Sequence, residues 1–124
     1  AMSFVPQHNT PMADRGPSPY LDELITIAVM RLVHPTKLIP ATLDVEGIAG
    51  LAPRLDAGAN VITSIIPPLK GLAGVAQHEL DIDDGSRSME NVECVLDKLG
   101  VQKASRADYA ELLTRWKGRG TPEA

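Results

Sequence analysis

The run LIPATLDVEGIAGLAPRLDAGANVITSIIPP, residues 38–68, constrains the fold of this chain more than any other stretch. It reads as strand, helix, strand. Residues 38–42 are an apolar run, residues 45–57 carry helical spacing, and residues 60–66 are apolar on both sides of Thr63-Ser64. A near-continuous apolar run of that length is how a strand buried on both faces reads. Strands separated by a helix pair in parallel through a right-handed crossover. In a parallel α/β barrel, side chains at the C-terminal strand ends face the active site. The unit therefore gathers Asp44, Thr63 and Ser64 on one candidate site. Strand alternation lets only one of Thr63 and Ser64 point inward.

The flanks extend the pattern. Residues 3–7 are predicted as a further strand, and residues 8–18, with prolines and a glycine, as a loop. Ser18-Pro19 opens a helix, with Ser18 as N-cap, Pro19 at the first helical position, and Asp22 and Glu23 favouring the dipole. Leu21, Leu24, Ile25, Ala28, Val29 and Leu32 recur at helical spacing as its apolar face, and His34-Pro35 stops it. Asp44 is the N-cap candidate for the helix over residues 45–57, and Gly58 its C′ candidate. Pro53 predicts a late start or a kink in that helix, and Pro40 sits awkwardly in its strand.

Periodicity lapses over residues 67–86, where glycines and small residues precede Asp81, Asp83 and Asp84; long loops of this kind at strand ends are often functional. Helical spacing returns at residues 89–99 and ends at Gly100. Ser105-Arg106-Ala107-Asp108 is a capping box for a last helix through Trp116, and the tail from Gly118 is expected to fray. Residues 1–117 are thus read as one unit and residues 118–124 as a disordered tail.

A chain of 124 residues fits one domain. With only four aromatic residues, its core must be aliphatic. The net charge of −4 argues against nucleic acid or an anionic membrane as partner. There is neither an apolar stretch of spanning length nor a signal-peptide pattern, so the cytoplasm is the expected compartment. Cys94 is the one cysteine. It excludes an internal disulfide, cannot alone hold an iron–sulfur cluster or a structural zinc, and reads as a small buried residue of a helix. The three histidines show no ligand spacing, and the aspartates of the long loop lack the spacing of a calcium loop. Three parallel strands would leave two open sheet edges. Either other chains cover them or the chain is a piece of something larger. The second is expected, also because the sequence opens with Ala1 directly at a strand.

Three segments carry a family resemblance: FVPQHNTPM (residues 4–12), ELITIAVMRLVHPTKLIPATLDVEG (residues 23–47) and DAGANVITSIIPP (residues 56–68). They resemble the C-terminal part of radical S-adenosylmethionine enzymes of the biotin-synthase-like subgroup, and within it are most similar to the methylornithine synthases of pyrrolysine biosynthesis. The resemblance covers residues 4–116. It implies the C-terminal part of a (β/α)8 TIM-type barrel: about three parallel strands with helices, plus C-terminal helices. The implied cofactors are S-adenosyl-L-methionine and a [4Fe–4S] cluster held by a three-cysteine motif that this chain lacks. The implied reaction is rearrangement of L-lysine to 3-methylornithine by an intramolecular mutase. The chain would bind the amino-acid substrate and close the barrel, and would be inactive without the N-terminal barrel half.

The resemblance also implies site residues. Phe4, Val5, Pro6 and Gln7 match the segment lying against the cofactor adenine. Asn9 replaces the family's glycine, and asparagine tolerates the positive φ required. Lys37 stands where the family carries an arginine for the substrate carboxylate, keeping the charge without the bidentate fork. Asp81 matches a closing-loop carboxylate for a substrate ammonium, and Glu79 stands where the family offers a hydroxyl. Apart from the resemblance, Thr63 and Ser64 end a barrel strand, where whichever hydroxyl points inward can hydrogen-bond the substrate. Asp44 has the plainer role of helix cap. Two alternatives stand beside this reading: a non-catalytic half-barrel that assembles through its strand edges, and a related radical enzyme of the biotin-synthase or hydrogenase-maturase type with another substrate.

Overall fold

Two short parallel strands organise the structure, a computed structural model that describes residues 4, 6–66 and 86–118. Strand β1, Pro40–Thr42, pairs with β2, Val61–Thr63, in the register Pro40 to Val61 and Thr42 to Thr63. Helix α1, Tyr20–Val33, leads into β1. The crossover to β2 passes through a 3₁₀ turn at Gly47–Gly50 and helix α2, Leu51–Asp56. Helices α3, Met89–Leu99, and α4, Arg106–Gly118, follow. Ala41 and Ile62 face the helices and pack with Ile27, Leu51 and Val92. Alternation then puts Pro40, Thr42, Val61 and Thr63 on the opposite face. This is an α/β arrangement with a small parallel sheet.

The AGAN sequence explains how the strands begin. Gly58 has φ +112, and its carbonyl accepts a hydrogen bond from Arg31 Nε at 2.8 Å. Arg31 Nη1 donates to the carbonyls of His34, Pro35 and Lys37, so one guanidinium closes the turn from α1 into β1. Asn60 Oδ1 accepts from Ile39 N at 2.7 Å and Asn60 N donates to Ile39 O, which sets the parallel register.

Several sequence expectations hold locally. Helix α2 does start late: Pro53 is its third residue, where a missing N–H leaves no bond unmade. Asn9 takes φ 60, as its place in the turn demands. Helix α3 ends at Gly100 with φ 66 and is capped by Ser88, whose hydroxyl accepts from Asn91 N. The capping box of α4 forms both ways, Asp108 N donating to Ser105 Oγ and Ser105 N to an Asp108 carboxylate oxygen. These bonds hold the Asp108 carboxyl below its ordinary range. Because its pKa is lower folded than unfolded, the contribution is full above the ordinary carboxylate range and is lost as pH falls through the lowered value. Ser105→Ala is expected to reduce amide protection in the first turn of α4 by roughly fivefold, the effect of a lost cap. Hydrogen exchange reads this, and acid should produce the same loss in the unmodified chain.

Other expectations are overturned. No strand forms at Phe4, Pro6 or Gln7. Both backbone groups of Phe4 are spent on Ser18: Phe4 N donates to Ser18 Oγ, and Phe4 O accepts from Ser18 N. Pro6 has no N–H for a ladder. Ser18 is therefore not the cap of α1; Pro19 takes that position without a side-chain bond. The apolar face read on α1 is mostly exposed, with Leu21 at 63%, Ile25 at 52%, Val29 at 52% and Leu32 at 83%. The helix instead buries Glu23 and Ile27. Strand β2 is half-buried rather than buried on both faces. Cys94 is exposed, because α3 buries Val92 and Leu96 and Cys94 lies between them on the other side.

Candidate functional site

The polar residues gather at the C-terminal ends of the two strands. Thr42 closes β1 and donates its hydroxyl proton to Asp44 Oδ2 at 2.7 Å. Ser64 follows β2 with φ 67, and its Oγ lies 3.3 Å from Thr42 Oγ1. Left-handed backbone in a serine costs energy, and such strain is concentrated at functional sites. The turn at Ser64 breaks the alternation expected of it, bringing its hydroxyl to the side of the sheet that carries Thr42 and Thr63. Arg87, only 3% exposed, donates from Nη1 to Asp44 Oδ1 at 3.2 Å. Its carbonyl accepts from Ile66 N, so the chain leaves the strand tops and returns to them at one place.

A second charged group braces the loop that carries Asp44. Arg54 is fully buried; its Nε and Nη2 donate to the two carboxylate oxygens of Glu23, and Nη2 also donates to Glu46. The Tyr20 ring lies 5.0 Å from the guanidinium carbon, and Tyr20 OH donates to the Gly50 carbonyl. Burial works against the Arg54 charge, but the hydrogen bonds and charges of Glu23 and Glu46 more than offset it, so its pKa is raised. Burial likewise pushes the Tyr20 hydroxyl up, opposed by the Arg54 charge. Gly50 leaves room for this packing: a Cβ there would meet Arg54 Nη1 at 1.9 Å.

Among the residues expected at a site, the structure brings Ser64 to the cluster and aligns Thr63 with Thr42 in the ladder. Phe4, Pro6 and Gln7 lie on the same end, since Phe4 is bonded to Ser18 beside the start of α1, and α1 meets the Glu46 loop through Arg54. Lys37 is elsewhere. It precedes β1, roughly 16 Å from Thr42 along the strand direction, is exposed, and has its Nζ 5.9 Å from the Trp116 ring centroid. Val5, Glu79 and Asp81 lie outside the described residues. Asp44 does not cap a helix: Glu46 holds the cap position of the 3₁₀ turn and Gly50 that of α2. Its carboxylate serves Thr42 and Arg87 instead. Thr42 and Arg87 were not expected at a site. Thr42 was legible from its place at a strand end beside Asp44, whereas nothing local marks Arg87, which joins only through the tertiary fold.

The arrangement offers hydroxyls, a partly exposed carboxylate and a buried guanidinium to a small polar ligand. It offers no metal centre. Among the described residues no three His, Cys, Asp or Glu side chains converge, and the sequence has one cysteine. No helix among the described residues is long and apolar enough to cross a membrane.

Comparison with known proteins gives a consistent picture. No protein-family model matches the chain. It is 43% identical over 112 residues to 3-methylornithine synthase of Methanosarcina barkeri (strain Fusaro), covering 90% of this chain and 32% of that protein. The corresponding figures for 3-methylornithine synthase of Methanosarcina acetivorans are 41%, 90% and 32%. The crystal structure of methylornithine synthase (PylB) superposes with a TM-score of 0.77 at 42% identity, over 88% of this chain and 32% of that one. The chain thus spans about a third of the length of the relatives it matches.

Proposed function

Because the chain is homologous to the C-terminal part of 3-methylornithine synthase, we propose that it is the substrate-binding and barrel-closing portion of a radical S-adenosylmethionine mutase that rearranges L-lysine to 3-methylornithine. The observation that carries this reading is the coincidence of fold and sequence over one stretch, a TM-score of 0.77 at 42% identity. The position of the polar cluster adds to it, since strand C-termini are where barrel enzymes place their sites.

The cluster such an enzyme needs does not fit this chain. Three thiolates are required, and one exposed cysteine is present. The cluster therefore belongs to the preceding part of the barrel, and no step is assigned to Cys94. Bound there, the cluster with S-adenosylmethionine would supply the radical chemistry. This chain's residues bind and orient. The backbone groups of Phe4 are engaged by Ser18, and its ring, with Pro6 and Gln7, would form the surface for the adenine. Ser64 and Thr63 present hydroxyls to the amino acid. Asp81 and Glu79 enter from sequence resemblance as the carboxylates for its ammonium groups. Lys37 has no part in this site, since it stands at the opposite end of β1 against Trp116.

The uncovered stripe of α1, Leu21, Ile25, Val29 and Leu32, supports the barrel-closing role, because the unit before α1 is the neighbour a barrel would supply. Co-expression with the preceding two-thirds of the M. barkeri relative tests this. A one-to-one complex is expected. Assembly of this chain only with itself would overturn the reading in favour of a self-pairing half-barrel.

A further inference from the structure

The cluster at the strand tops is an ordered relay, and its hydrogen-bond directions can be deduced. Both carboxylate oxygens of Asp44 accept, Oδ1 from Arg87 Nη1 at 3.2 Å and Oδ2 from Thr42. Thr42 has one hydroxyl proton, and it is committed to Asp44 Oδ2 at 2.7 Å. The 3.3 Å contact between Thr42 Oγ1 and Ser64 Oγ must then be made with the Ser64 proton. The Asp44 N–H also approaches Thr42 Oγ1, at 3.4 Å, which uses that oxygen as an acceptor a second time. The Ser64 proton therefore points back into the protein, and its lone pairs point away from the relay. Ser64 makes this contact from a left-handed backbone, φ 67, the kind of strain that clusters at functional sites.

We infer that Arg87, Asp44 and Thr42 are positioning residues that hold the Ser64 hydroxyl as a hydrogen-bond acceptor for a protonated amine of the substrate. The inference rests on the proposed function and deepens it, because lysine carries two such amines. A hydroxyl free to rotate would offer donor or acceptor alike. The relay removes the donor alternative and selects an ammonium over a carboxylate at this point.

The test uses this chain fused behind the preceding two-thirds of the M. barkeri relative, with calorimetric titration of L-lysine, 6-aminohexanoate, which lacks the α-amine, and 2-aminohexanoate, which lacks the side-chain amine. Ser64→Ala and Thr42→Val are each expected to weaken lysine binding about tenfold, as for a lost hydrogen bond to a charged group. The double variant should lose no more than either single one, and Thr42→Ser should restore binding. The penalty should vanish for whichever analogue lacks the recognised amine, and a merely structural role for Thr42 would not produce that pattern. An equal penalty on all three ligands, or none in Thr42→Val, overturns the relay while leaving lysine binding intact. A fusion that binds no lysine overturns the proposed function and the relay with it.

Discussion

Arg54→Met is expected to destabilise the fold by about 3–5 kcal/mol, the cost of removing one partner from a buried ion pair. The Glu23 side chain is 2% exposed, so the substitution leaves a carboxylate deep in the protein after its guanidinium is gone. Glu46, 31% exposed, can turn to water and loses less. The double variant Arg54→Met, Glu23→Gln should recover most of the loss, because a neutral pair of similar volume carries no desolvated charge. Urea unfolding midpoints read both. A loss below about 1 kcal/mol in the single variant would mean that the pair is not a brace. Glu46 lies two residues beyond Asp44, so the same variant should also weaken lysine binding, an effect that the double variant would restore only in part.

Gly58→Val is expected to cost about 2–5 kcal/mol, from two separate sources. At φ +112 a β-branched residue is strained by about 1–2 kcal/mol. Its Cβ would also meet Arg31 Cβ and Cγ at 2.8 Å, and overpacking of that kind costs about 1–3 kcal/mol. Arg31 cannot simply withdraw, since the guanidinium is spread over the carbonyls of Gly58, His34, Pro35 and Lys37. The damage should appear as stability rather than as ligand affinity, because this turn lies at the N-terminal end of the strands, away from Ser64. Thermal unfolding with and without lysine separates the two: a lowered midpoint with an unchanged ligand-induced shift is the expected result.

What could be read from the sequence follows from how local its causes are. Helix α3 runs over the residues its spacing predicts and stops at Gly100, because Ser88, the periodic apolar residues and a left-handed glycine each act on the backbone within a turn of themselves. The capping box at Ser105 and Asp108 is equally local. The late start of α2 was legible in Pro53. Ser18 misled because a partner fourteen residues away, Phe4 N, claimed the hydroxyl that a helix would have used. The apolar stripe of α1 was legible as apolar, yet most of it is exposed. The side that packs here is marked by Ile27 and by Glu23, a charge that no hydrophobic pattern would place inside. Its burial depends on Arg54, thirty-one residues away.

The site shows the same division. A polar cluster at the ends of the strands was predictable from Asp44, Thr63 and Ser64 in one strand–helix–strand unit. The role of Asp44 was not, since an aspartate after a strand and before a helix reads as a cap. The structure gives it to Thr42 and Arg87. Lys37 was placed at the site by resemblance, yet the strand that follows it carries it to the far end.

We propose that this chain completes a lysine mutase. The most direct measurement replaces the matching third of the M. barkeri synthase with this chain, reconstitutes the cluster anaerobically, and follows conversion of isotopically labelled L-lysine by mass spectrometry. The account predicts S-adenosylmethionine-dependent formation of 3-methylornithine, lost when the cluster cysteines of the upstream part are replaced. A fusion that folds, holds its cluster and cleaves S-adenosylmethionine, yet leaves lysine unchanged, would contradict it.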